Sequence, residues 1–100
     1  MLEVKFNNSI LNAKIDGEID HSTAITIRTK IDAAIHMYRP KLLELDFSSV
    51  TFMDSSGVGL VMGRFRQMKL IGGALQVVNV PNNLYRIFAM SGIEGLGVLR

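Results

Sequence analysis

The residues best placed to do chemistry in this chain form one run, Asp54-Ser55-Ser56-Gly57-Val58-Gly59. Two hydroxyls stand beside an aspartate suited to capping a helix, and two glycines thin out the side chains around them. The run falls where the apolar segment Leu42 to Phe47 gives way to residues with helical spacing, which puts the serines in a first helical turn. Free backbone N–H groups and the helix dipole make such a position tolerant of negative charge. Gly57 and Gly59 would let another protein approach the backbone closely. The same six residues also describe a well-capped helix start with glycines packed on a neighbour. Residue chemistry alone leaves both readings standing.

Other chemistries fit less well. Gly57-Val58-Gly59 lacks the third glycine of a dinucleotide fingerprint and the lysine of a P-loop, so it makes a poor nucleotide site. A serine hydrolase needs a base held beside its nucleophile. Only His21 and His36 are available, and Ser55 does not sit in a glycine-flanked elbow. His36 reads as a solvated surface residue. The two histidines, with Asp16, Glu18 and Asp20, match no metal-ligand spacing. Arg64, Arg66 and Lys69 lack interleaved aromatic residues, which argues against a nucleic-acid patch. An NTP-binding or hydrolytic module therefore stands as the alternative of a different class. No enzyme activity, cofactor or metal is expected.

The elements that must position the run follow from periodicity. Leu2, Val4 and Phe6 alternate with Glu3 and Lys5, Asn7-Asn8-Ser9 is turn chemistry, and Ile10 to Asp16 returns, so the chain opens as a β-hairpin. Gly17-Glu18-Ile19-Asp20 breaks the pattern. Ser22 or Thr23 can cap a helix to about Met37, with Ile27, Ile31, Ala34, Ile35 and Tyr38 on one face, and Pro40 stops it. Leu42, Leu43, Leu45 and Phe47 read as a central strand, and Ser48 to Thr51 as a loop. A second helix runs from Asp54 to about Ile71, ended by Gly72-Gly73. Its apolar stripe is Val58, Val61, Met62, Phe65 and Met68. Leu60 falls to one side, in line with Ser56, Arg64 and Gln67, and reads as an exposed leucine on a partner face. Leu75 to Val80 is a strand, Pro81 to about Met90 a short helix, and Gly97 to Leu99 a last edge strand. The order β-β-α-β-α-β-α, with that final strand, predicts an α/β fold: a mixed sheet of four to five strands with helices packed on it.

Composition sets the bounds. The chain has 100 residues, expected to form a single domain over 1–100, and its 48% hydrophobic share lies far from that of disordered chains. A net charge of +2 is too mild to call for a nucleic acid or membrane partner. The absence of cysteine removes disulfides, thiolate metal sites and cysteine nucleophiles. Neither a signal-peptide layout nor a membrane-length apolar run occurs, so a cytoplasmic location is expected.

Four segments in order carry a resemblance: Gly17-Glu18-Ile19-Asp20-His21, Leu45-Asp46-Phe47-Ser48-Ser49-Val50-Thr51-Phe52-Met53-Asp54-Ser55-Ser56-Gly57, Gly63-Arg64-Phe65, and Phe88-Ala89-Met90-Ser91-Gly92. Together they resemble the STAS domain, in particular the stand-alone anti-sigma factor antagonists of the sporulation sigma-F type. A stress-response antagonist is the rival within the family, and a passive STAS scaffold in another signalling complex is a further alternative. The resemblance implies a mixed sheet with helices on one side. It implies two partners, an anti-sigma factor that is also a serine kinase and a metal-dependent serine phosphatase. Ser55 would be the phosphorylated residue, with Ser56 the second choice. Glu18, Asp20, His21, Ser55, Ser56 and Gly57 carry over as the contact face, to which the cap Asp54 and the flanking Leu60 and Arg64 are added. Relatives continue past the last strand into a C-terminal helix, whereas this chain stops at Arg100.

Overall fold

The computed structural model describes residues 1–100. The elements are β1 (Leu2–Asn7), β2 (Ile10–Ile19), α1 (His21–Tyr38), β3 (Leu42–Met53), α2 (Ser55–Leu70), β4 (Ala74–Val78) and α3 (Asn82–Ser91), followed by a short 3-10 turn at Ile93–Leu96. The strands lie side by side in the order β1-β2-β3-β4. The β1/β2 pair is antiparallel, whereas β2/β3 and β3/β4 are parallel. The helical crossovers make this mixed sheet possible, since parallel neighbours cannot be joined by a tight turn.

One face of the sheet carries nearly the whole core. Leu11, Ala13 and Ile15 of β2, Leu43, Leu45 and Phe47 of β3, and Leu75 and Val77 of β4 are all buried. They alternate with half-exposed polar neighbours such as Asn12, Lys14, Glu44, Asp46 and Gln76. The period of two thus sends apolar residues to one side. Onto that side α1 places Ile27, Ile31 and Ile35, and α3 places Phe88 edge-on to Phe47 with ring centroids 5.3 Å apart. All three helices cover this one face, as the resemblance implied.

Four expectations need correction. Residues 48–51 are not a loop, because β3 runs on to Met53 while its register with β2 slips twice, between Lys14 and Asp16 and between Gly17 and Glu18. Each slip adds a residue to β3, so the buried positions go from Phe47 to Val50 to Met53, a spacing that hides a strand from an alternation test. Asp46 Oδ1 accepts from the Ser48 backbone N–H at 2.9 Å where the bulge begins. Second, Gly17 to Ile19 stay inside β2, with Gly17 taking φ +85. Third, α1 is capped by Asp20 rather than by Ser22 or Thr23. Fourth, the last edge strand shrinks to one parallel bridge between Val77 and Leu99. The Val77 N–H donates to the Val98 carbonyl at 2.7 Å and the Arg100 N–H to the Val77 carbonyl at 2.8 Å.

Phe88 closes the core against Phe47 of β3. Phe88→Ala is expected to lower unfolding free energy by about 3–5 kcal/mol, the usual cost of truncating a buried ring. Urea denaturation followed by circular dichroism measures it.

Candidate functional site

The two parallel central strands end level with each other: Glu18 pairs with Phe52 and Ile19 with Met53. The Asp54 N–H donates to the Ile19 carbonyl at 3.1 Å, tying the two strand exits together. Each exit hands over at once to a helix capped by an aspartate. Asp20 Oδ1 accepts from the Ser22 N–H at 3.0 Å and the Thr23 N–H at 2.9 Å. Thr23 Oγ1 in return accepts from the Asp20 N–H at 2.8 Å, closing a capping box. Thr23 Oγ1 also donates to the Glu18 carbonyl at 2.9 Å, which fixes the strand exit to the helix. In α2, Asp54 Oδ1 accepts from the Ser56 N–H at 2.8 Å.

This places the sequence-selected residues at one corner. Ser55 is the first residue of α2 and is exposed, while Ser56 is half-buried and Asp54 half-buried. Glu18 and His21 are exposed and Asp20 half-buried at the neighbouring exit. The local hydrogen bonds at α2 run from backbone to Asp54. No three His, Asp or Glu side chains come together as a metal site.

Hydrogen bonds from the Thr23 backbone first, and then from the Ser22 side chain, hold the Asp20 carboxyl below its ordinary value of 3.8. A carboxylate with a lowered value in the fold contributes stability above its unfolded value, and loses it as pH falls through the folded value. Wild type should therefore lose more stability than Asp20→Asn on acidification below 3.8, because asparagine caps comparably and does not titrate. Chemical denaturation midpoints against pH give the comparison; parallel curves would refute this account of the cap.

Gly57 and Gly59 differ in what they do. A Cβ on Gly57 would collide with the sulfur and Cγ of the buried Met53, so this glycine serves internal packing of α2 on β3. A Cβ on Gly59 or Gly63 would meet nothing within 4 Å. Those two lie one helical turn apart on one face and leave it bare. Gly57→Ala should cost about 1–3 kcal/mol through overpacking. Gly59→Ala should be neutral or stabilise by up to ~1 kcal/mol through helix propensity. Thermal unfolding of both variants tests the contrast.

Leu60 and Arg64 are corrected. Neither is exposed: they retain 4% and 7% of their accessible surface. The stripe read from the sequence was Val58, Val61, Met62, Phe65 and Met68, but α1 packs along the flank of α2 and the buried residues are Gly57, Leu60, Val61, Arg64 and Met68. Val58, Met62 and Phe65 become half-buried instead. Arg64 Nε lies 2.9 Å from Asp32 Oδ1 of α1. Burial lowers the Arg64 guanidinium below its ordinary value, Asp32 opposes this, and the charges of Arg28 and Arg66 add to the lowering.

An open cleft of about 370 Å³ lies between the two helices, beside Ser56. His21, Ala24, Ile25 and Arg28 form one wall, and Ser56, Gly59 and Gly63 the other, with Leu60 and Arg64 also lining it. Sequence reasoning missed this cleft and Arg28. The glycines at i and i+4 facing a helix with arginine were the available signal.

Residues 1–97 match the STAS domain, and the chain belongs to that family. It is 32% identical over 92 residues to the anti-sigma F factor antagonist of Paenibacillus polymyxa, spanning 92% of this chain and 79% of that protein. It is 30% identical to the anti-sigma-B factor antagonist of Bacillus subtilis (strain 168), over 95% of this chain and 85% of that one. Among solved structures, the anti-sigma factor antagonist SpoIIAA in its unphosphorylated form superimposes with a TM-score of 0.87 at 29% identity, covering 100% of this chain and 86% of that one. The Bacillus cell fate determinant SpoIIAA in the phosphorylated form gives 0.78 at 29% identity, covering 100% and 89%.

Proposed function

We propose that this protein is an anti-sigma factor antagonist: in its unmodified state it docks on an anti-sigma factor, and phosphorylation of Ser55 turns docking off. The observation that carries the reading is an exposed serine in the first turn of α2, beside a second helix start, in a chain related to antagonists of this kind. Likeness to SpoIIAA, solved with and without phosphate, supports a phosphate-controlled surface. The partner is then an anti-sigma factor with serine kinase activity, and a metal-dependent serine phosphatase resets the switch. Glu18, Asp20, His21, Asp54, Ser55 and Ser56 form the docking face. Gly57 supports it from beneath by letting α2 sit close to Met53. The protein acts as a cytoplasmic regulator and catalyses nothing itself. The sporulation sigma-F pathway is the first assignment and the stress-response pathway the second, since relatives of both kinds are similar.

The physics of the switch is electrostatic. Phosphate adds about −1.5 to −2 charges and three acceptor oxygens at Ser55. In the free protein these remain in water at the positive end of α2, an interaction worth roughly 0.3–1 kcal/mol in its favour. Beneath a docked protein the same dianion loses its water next to the Asp54 carboxylate. An unpaired charge in an interface costs about 2–5 kcal/mol, and each 1.4 kcal/mol or so is tenfold in affinity.

The expected result is that Ser55→Asp leaves the melting temperature near wild type while weakening the anti-sigma factor by roughly 10-fold or more. Ser55→Ala should still bind but accept no phosphate from that kinase and ATP. Calorimetry and intact mass measure the two effects. If both variants bind as wild type does, the electrostatic release is wrong. If the unmodified protein ignores anti-sigma factors altogether, the assignment is wrong.

A further inference from the structure

The cleft between α1 and α2 carries charge that the protein does not neutralise. Arg28, Arg64 and Arg66 all line it, and no acidic residue does. Asp32, whose Oδ1 lies 2.9 Å from Arg64 Nε, is the one carboxylate in an ion pair with this group. Three guanidiniums against one carboxylate leave two positive charges uncompensated. Arg64 is more than nine-tenths buried, yet its Nη1 is enclosed without a hydrogen-bond partner, and Nε meets Asp32 without hydrogen-bond geometry. A buried donor left unmade is costly and needs a reason. Around this cationic floor the wall is stripped by Gly59 and Gly63, which gives a narrow group room to enter.

We propose that the α1/α2 cleft is a carboxylate receptor, which takes an aspartate or glutamate side chain of the protein docked on the Asp20 and Ser55 corner. This rests on the docking reading above, and it adds what the partner must supply. Ser56 and His21 belong both to the docking face and to the cleft lining, so a protein covering the serines also roofs the cleft. Roofing strips water from Arg28 and Arg66, which are exposed in the free protein. Desolvated cations without a counter-charge oppose binding. A planar carboxylate answers this, since guanidinium groups engage it through paired, charge-assisted hydrogen bonds. The docking face thereby becomes two-signed, with Glu18, Asp20 and Asp54 beside an arginine cleft, and a partner must present both signs in the right order.

The test has two arms. In the first, the isotope-labelled protein alone is titrated with a capped tri-glutamate peptide and, separately, with inorganic phosphate, while backbone amide shifts are followed. The peptide should move Gly59 and Gly63 saturably, and the Arg28→Gln/Arg66→Gln double variant, its fold checked by the same spectra, should lose that response. No saturable shift, an unchanged response in the double variant, or phosphate saturating these resonances at lower concentration than the peptide overturns the receptor. In the second arm the anti-sigma factor is the probe. The double variant should bind it roughly 10-fold or more weakly, with a shallower salt dependence. Equal binding by variant and wild type overturns the receptor and leaves the antagonist reading intact. A wild type that responds to the peptide but binds no anti-sigma factor overturns the antagonist reading, and with it the partner as source of the carboxylate.

Discussion

The parallel pairing of β2 with β3 is the constraint on which the rest of the molecule depends. Its final rung, Ile19 beside Met53, fixes where both strands stop, and the bond from the Asp54 N–H to the Ile19 carbonyl holds the stops together. Because parallel strands run the same way, both must leave the sheet at the same end. Both then turn into helices that return over the same face. Two helix N-termini are thus forced side by side, each with unpaired N–H groups that need an acceptor. Asp20 and Asp54 are that acceptor. The candidate site lies where the topology leaves backbone donors over. The two slips in β3 serve the same end, since they bring Met53 inward after the alternation has already been used by Phe47 and Val50.

From this follows a division of labour among small residues that look alike in the sequence. Gly57 lies over Met53, where a Cβ would run into the sulfur and Cγ of that side chain and force one or the other to shift. Gly59, two residues later, points to open space. Ser55, ahead of both, stays exposed because Asp54 rather than the serine satisfies the first-turn donor. A serine that had to cap its own helix would be tied to backbone and less available to an enzyme. Capping by the preceding aspartate frees the hydroxyl, which is the physical sense of having the two residues in that order.

Much of this could be read from the sequence, and the parts that could not share a cause. The hairpin, the Ile27, Ile31, Ile35 stripe and the start of α2 are local patterns with one dominant neighbour, and each was found as expected. What failed involved a second neighbour. Residues 48–53 are strand because β2 lies alongside, although their bulged spacing mimics a loop. Leu60 and Arg64 are buried because α1 lies alongside, although a helical wheel with one buried stripe puts them at its edge. Asp20 outcompetes Ser22 and Thr23 as cap because β2 extends to Ile19, which no turn signal at Gly17 announces. The cleft combines both failures, since neither wall is visible until the packing of α1 on α2 is known.

That packing also encloses an arginine, Arg64, in the interior. A leucine at position 64 would fill the α1/α2 seam without the cost of enclosing a guanidinium, and Asp32 offsets only part of that cost through a single 2.9 Å approach. Natural cores keep such an arrangement where stability is not the only demand on the site. Here the enclosed cation shares a cleft with two exposed ones, whose fields add to the lowering of its proton affinity, and Ser56 of the first turn of α2 lines the same cleft. A surface carrying carboxylates at the helix caps and guanidiniums in the seam between the helices changes sign from one to the other. Any ligand that covers it must match both signs, because each uncompensated charge loses its water on contact. On the reading proposed above, a dianion at the exposed Ser55 would add to the negative side of that pattern at the surface of the first turn, where it changes what a partner meets and not what the core packs.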